Sequence, residues 1–150
     1  MIALKSLRIR RNVLLGYWIL MPVLFYFYLF LVSFNQQVTI QQLIFQLPGL
    51  TLAVLLSFLM LFQAACLYFI GSQSDTHTFF EKRFLTFSLF QQVLTGNIIG
   101  AALCYFYNRN TFAENRPISS NIRVIFYFAI GFISLITAII LFIALRMKGV

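Results

Sequence analysis

Amides and hydroxyls recur inside one uncharged run, TFSLFQQVLTGNIIGAALCYFY, from Thr86 to Tyr107. Ser88, Gln91, Gln92, Thr95 and Asn97 stand where lipid is the expected solvent. None of these groups ionises near neutral pH, so none serves as a general acid or base. They can bond across a helix contact or line the path of a polar solute. At helical spacing Ser88, Gln92, Gly96, Gly100 and Cys104 recur every four residues as one stripe of small or polar groups. GNIIG within the run is a G-x-x-x-G, which lets helix backbones approach closely in a membrane. Gly96 and Gly100 are therefore expected at a tight helix contact. Ser88, Gln92 and Asn97 should hydrogen-bond across it, at about 0.5–2 kcal/mol each.

The other reactive side chains are few. SDTHTFFEKRF places Asp75, His77 and Glu81 together, and on a helix His77 and Glu81 share a face at i, i+4. The expected role is a solvated surface with Lys82 and Arg83. Cys66 and Cys104 lack metal-type spacing and fit as small apolar fillers. There is no H-E-x-x-H, no phosphate-binding glycine loop and no paired intramembrane aspartate. No enzyme activity, cofactor or metal is expected.

The elements that carry these residues follow from composition. The hydrophobic fraction is 61%, against roughly 45–50% in an average soluble domain. Charged residues are 9%, against about 25%. From Asn12 to Ser74 no charged side chain occurs. A membrane-spanning helix needs about 20 mostly apolar residues, and the chain offers four such stretches, at about 13–33, 50–70, 84–107 and 124–145. Barrel strands are about half as long and alternate. The expected fold is an all-α integral membrane protein, a single domain with four transmembrane helices in a compact bundle. No Asp, Glu, Lys, Arg or His falls in any span, which argues against proton-coupled transport.

Basic residues set the expected orientation, since Lys and Arg near span ends favour the cytoplasmic side. With both termini cytoplasmic, eight of the eleven basic residues lie inside. Arg109, Arg116 and Arg123 are left outside. The first span has a basic start but is longer than the 7–15 residues of a signal core, so it is expected to be retained. In the first extracytoplasmic connection, Ile40, Leu43, Ile44 and Leu47 oppose Thr39, Gln41, Gln42 and Gln46, the pattern of a short amphipathic helix. The net charge of +8 is spread over tails and loops. It reads as topology and lipid contact rather than direct nucleic-acid binding.

From Leu50 to Lys148 the layout is an apolar span rich in Ala and Ser, a short polar loop, then FFEKRFLTFSLFQQVLTGNIIGAALCYFY. A turn and a last span ending IALRMKG follow. This layout resembles the small four-helix bacterial membrane proteins paired with LytTR-type transcription regulators. The resemblance implies a membrane inhibitor in the bacterial plasma membrane that sequesters a cytoplasmic DNA-binding regulator. The expected partner surface is Lys5, Arg8, Arg10, Arg11, Asp75, His77, Glu81, Lys82 and Arg83. Membrane lipids are expected contacts as well, and homo-oligomerisation stays open. The alternative expectation is a channel or transporter accessory subunit, or a bacteriocin-immunity protein, built on Gln91, Gln92, Thr95 and Asn97.

Overall fold

The computed structural model describes residues 2–72, 79–109 and 120–149, with the backbone alone for 2–8 and 121–122. Every regular element among them is a helix. The order is α1 (Ile2–Gln36), α2 (Ile40–Gln46), α3 (Pro48–Ser72), α4 (Phe79–Leu94), α5 (Ile98–Arg109) and α6 (Ser120–Met147).

Three helices contain segments long and apolar enough to cross a membrane: Ile9–Gln36, Pro48–Ser72 and Arg123–Met147. Helix α1 continues through Pro22, which is buried although it has no N–H to give the preceding turn. Gln37, at φ 54°, ends this helix in the left-handed region. Thr39 then caps α2 by a reciprocal box: its hydroxyl accepts from the Gln42 backbone N–H, and the Gln42 side-chain Oε1 accepts from the Thr39 N–H. The apolar face of α2 is only partly covered. Leu43 is buried, while Ile40 and Leu47 stay exposed. Pro48 opens α3 at a position where a missing N–H costs nothing.

The fourth expected span, 84–107, is not one helix. It is divided between α4 and α5 by a turn at Thr95–Asn97, and the two legs pack side by side in opposite directions. Gln92 lies against Gly100, Thr86 against Asn108 and Glu81 against Tyr107. The legs have 16 and 12 residues, or about 24 and 18 Å at 1.5 Å per residue. Each is shorter than the roughly 30 Å hydrocarbon core. The segment enters and returns at the same end of the bundle.

That hairpin changes the direction of the last helix. Arg11, near the start of α1, bonds to Gly71 at the end of α3, so these two helices run antiparallel. Phe80 packs edge-on against Phe126, which puts the starts of α4 and α6 together. Phe87 to Leu94 and Ser134 to Leu141 then border one cavity further along, so α6 runs parallel to α4. The start of α1 and the end of α6 therefore lie at opposite ends of the bundle.

Leu14, Trp18, Leu59, Leu67, Phe84, Leu85, Tyr107 and Ile133 form the centre of the core. Large apolar side chains also cover the outside, among them Phe27, Tyr68, Phe128 and Phe142. Such surface suits lipid rather than water.

Candidate functional site

The turn between α4 and α5 is a helix stop and a helix start in three residues. Gly96 has φ +77°, a region that L side chains rarely adopt. Its N–H bonds to Val93 O at 3.1 Å, and the Asn97 N–H bonds to Gln92 O at 2.8 Å. This is the Schellman pattern at a helix C-terminus. Asn97 then caps α5, its Oδ1 accepting from the Gly100 N–H at 3.0 Å. The same oxygen accepts from the Tyr17 hydroxyl at 2.7 Å, which ties the tip of the hairpin to α1.

Of the expected stripe, Ser88 and Gln92 on α4 and Gly100 and Cys104 on α5 are all buried, and Gln92 lies against Gly100 across the two legs of the hairpin. A Cβ on Gly100 would stand 2.6 Å from Gln92 Oε1 and 2.7 Å from Asn97 Nδ2, so the space beside Gly100 is taken by the ends of those two side chains. Gly96 has no such contact: nothing lies within 4 Å of where its Cβ would be. Its expected packing role is corrected to a conformational one.

Three glutamines lock α3 to the hairpin. Gln63 Nε2 donates to Gln91 Oε1 at 2.7 Å, and Gln92 Nε2 donates to Gln63 Oε1 at 2.6 Å. All three side chains are buried. Amides without partners in lipid would lose their hydrogen bonds outright, so mutual pairing is what makes their burial tolerable. Beside this triad lies a cavity of about 240 Å³ between α1, α3 and the hairpin tip. Tyr17, Gln91, Gln92, Thr95 and Asn97 give it a polar floor, and Met21, Leu56, Leu59 and Met60 give it apolar walls. Met21 and Met60 fall near the midpoints of the spanning stretches of α1 and α3, which sets the cavity at mid-depth.

Charge collects at the open end of the hairpin. Arg10, Lys82 and Arg83 are exposed, and the Arg83 guanidinium lies 4.2 Å from the Phe79 ring centre. The backbone of α1 carries Lys5 and Arg8 at this end as well. Arg11 is half-buried and donates to Gly71 O at 3.0 Å, so it closes the end of α3 rather than facing outward. A side chain on Gly71 would meet that guanidinium at 2.6 Å. Asp75 and His77 lie outside the described residues.

Glu81 departs from its expected place on the surface. It is only 1% exposed, and its carboxylate accepts from the Tyr107 hydroxyl across the seam. The reason is helical spacing. Glu81, Phe84, Leu85, Ser88, Gln91 and Gln92 fall on one face of α4, and all are buried. Ending the span at Phe84 hid that continuity. Tyr17 and Tyr107 were passed over in the sequence, although a tyrosine within a span needs a partner for its hydroxyl. The Trp18 Nε1 and Ser88 Oγ are fully buried without a hydrogen-bond partner. Cys66 and Cys104 are buried free thiols.

Comparison of the chain with protein-family models, with curated proteins and with solved structures found no match in any of the three.

Proposed function

We propose that the protein is a non-enzymatic membrane regulator that docks a soluble partner on the basic end of its helical bundle. The observation that carries this reading is the gathering of charge. Lys5, Arg8, Arg10, Arg11, Lys82, Arg83, Arg109 and Arg123 belong to helix segments at the end where the hairpin opens. Arg146 and Lys148 stand at the other end. The basic-residue rule then puts the hairpin mouth in the cytoplasm and the end of α6 outside. Arg109 at the end of α5 and Arg123 near the start of α6 then no longer sit on the wrong side. A basic collar of this kind favours an acidic partner face and speeds encounter with it, in competition with anionic lipid. Buried Glu81 is not part of that surface. The resemblance to membrane partners of LytTR-type regulators makes a DNA-binding regulator in a bacterial cytoplasm the first partner to test. Deleting the protein should raise a defined set of transcripts. Lys82→Glu with Arg83→Glu should raise the same set while the protein stays in the membrane. Unchanged transcription in both strains sinks the reading.

A second reading has its own observation. Non-helical backbone at membrane depth is tolerated only where protein or water covers it. The turn Thr95–Asn97 borders a cavity with a polar floor. This favours a solute-handling component, such as a channel or transporter accessory subunit or a bacteriocin-immunity protein. Altered ion leak or peptide sensitivity on deletion, with transcription unchanged, selects it.

A further inference from the structure

We infer that the cavity beside the hairpin tip is a binding site for a small uncharged molecule that pairs a hydrogen-bond donor with an acceptor, as a primary amide does. The inference does not depend on the docking surface, which lies at the end of the bundle. Its basis is the division of labour within the glutamine triad. Gln91 engages Gln63 through its oxygen, and Gln92 engages Gln63 through its nitrogen. The Gln91 amide nitrogen and the Gln92 amide oxygen are thus left outside the triad, and both residues line the cavity. Gly100 makes room for the Gln92 oxygen, since any Cβ there would collide with it.

The tip adds a second pair. Asn97 spends its oxygen on Tyr17 and Gly100, while its nitrogen has only the weak Met60 sulfur, at 3.8 Å. The Thr95 hydroxyl donates to the carbonyls of its own helix, at 3.1 and 3.2 Å, and keeps its lone pairs. The floor therefore offers both donors and acceptors. A purely apolar occupant would leave them unmet, at a cost typical of buried polar groups. A charged one would meet no countercharge, because no ionisable carboxylate, amine or guanidinium lines the cavity. The walls of Met and Leu suit a short apolar body. At about 240 Å³ the space falls below the roughly 300–1,000 Å³ of sites for drug-sized ligands, so the occupant has only a handful of heavy atoms. Entry is open beside Met21 and Gly96, both exposed at the bundle surface.

Trp18 supplies the readout. It is the one tryptophan of the chain, it is buried, and it follows Tyr17 directly. The full-length protein in phosphatidylcholine nanodiscs is titrated with butyramide, with butyrate and with pentane, and Trp18 emission is followed. Butyramide should produce a saturable change with half-saturation in the millimolar range, about what a few heavy atoms can reach. Butyrate and pentane should not saturate. Leu56→Phe and Met21→Phe, which fill the walls, should weaken the butyramide response by about tenfold or more. Met21 is half-exposed, so its variant tests the site even if Leu56→Phe misfolds. Leu20→Phe, on the exposed face of the same helix, should leave the response intact. No saturation with butyramide, an equal response to pentane, or an unchanged response in the folded filling variants overturns the assignment.

Discussion

Replacing Gly96 with alanine separates a re-entrant hairpin from a continuous span by the sign of its effect. In a continuous helix the change removes a flexible residue from the helix interior and stabilises by about 0.5–1 kcal/mol. In the hairpin Gly96 holds φ +77°, where a non-glycine residue is destabilised by roughly 1–2 kcal/mol. Nothing lies within 4 Å of the added Cβ, so no steric clash contributes and the effect is conformational alone. The two arrangements differ by about 2 kcal/mol in total. Asparagine enters the left-handed region more readily than other residues with a Cβ, and a β-branched residue enters it least. The hairpin therefore orders stability as Gly, then Asn, then Ala, then Ile. A helix orders the same set Ala, then Ile, then Asn, then Gly. Thermal unfolding in detergent, followed by the buried Trp18, reads the difference, with Gly96→Ala lowering the midpoint by on the order of 3–6 °C. A Gly96→Ala protein more stable than the parent refutes the hairpin and restores the fourth span.

Opposite membrane sides for the two ends are tested by reporters joined before Met1 and after Val150: the first should be cytoplasmic and the second external, and a cytoplasmic reporter after Val150 contradicts the three-crossing arrangement. Gln63→Leu removes both bonds of the triad and should destabilise by about 1–3 kcal/mol, measured by unfolding in mixed micelles; a neutral result would mean that the amides do not hold α3 to the hairpin. Asn97→Ala takes away the cap of α5 and the acceptor for Tyr17, for an expected loss of about 1–2 kcal/mol. Tyr17→Phe in the Asn97→Ala background should then add little beyond the loss of the hydroxyl itself. Glu81→Ala and Tyr107→Phe should be non-additive, with a coupling of about 1 kcal/mol in a double-mutant cycle, whereas additive effects would place the two groups apart.

Composition made the membrane class legible, because 61% hydrophobic residues and long charge-free runs leave lipid as the only fitting solvent. The polar stripe was legible in part: Ser88, Gln92, Gly100 and Cys104 are all buried, and Gln92 lies against Gly100. The hairpin was hidden by counting hydropathy over 22 uncharged residues. Leu94 and Ile98 are as apolar on either side of a turn as in a helix, so a three-residue interruption leaves the sum unchanged. The signal lay in residue type. Gly-Asn is a turn pair, glycine closes helices and asparagine opens them. Both functions are read in sequence order at Gly96 and Asn97. Glu81 was misplaced for a related reason. Charge was used to end the span, although Glu81 continues the stripe at i, i+7 to Ser88.

The two corrections support each other physically. A hairpin that dips into the bilayer leaves backbone and side-chain polar groups at depth, and each needs a partner. The sequence supplies them from three directions: Tyr17 from α1, Gln63 from α3 and Tyr107 from within the hairpin. The same hairpin returns the chain to the end of the bundle from which it came. That groups Arg109 and Arg123 with Lys82 and Arg83 at one end of the bundle. The charge rule, applied to four spans, had left those arginines unexplained; applied to three spans and a hairpin, it accounts for them. Hydrogen bonding at the tip and charge at the mouth are independent requirements. A continuous span at 84–107 would meet neither, since it would put Asn97 in mid-helix and Arg109 on the external face.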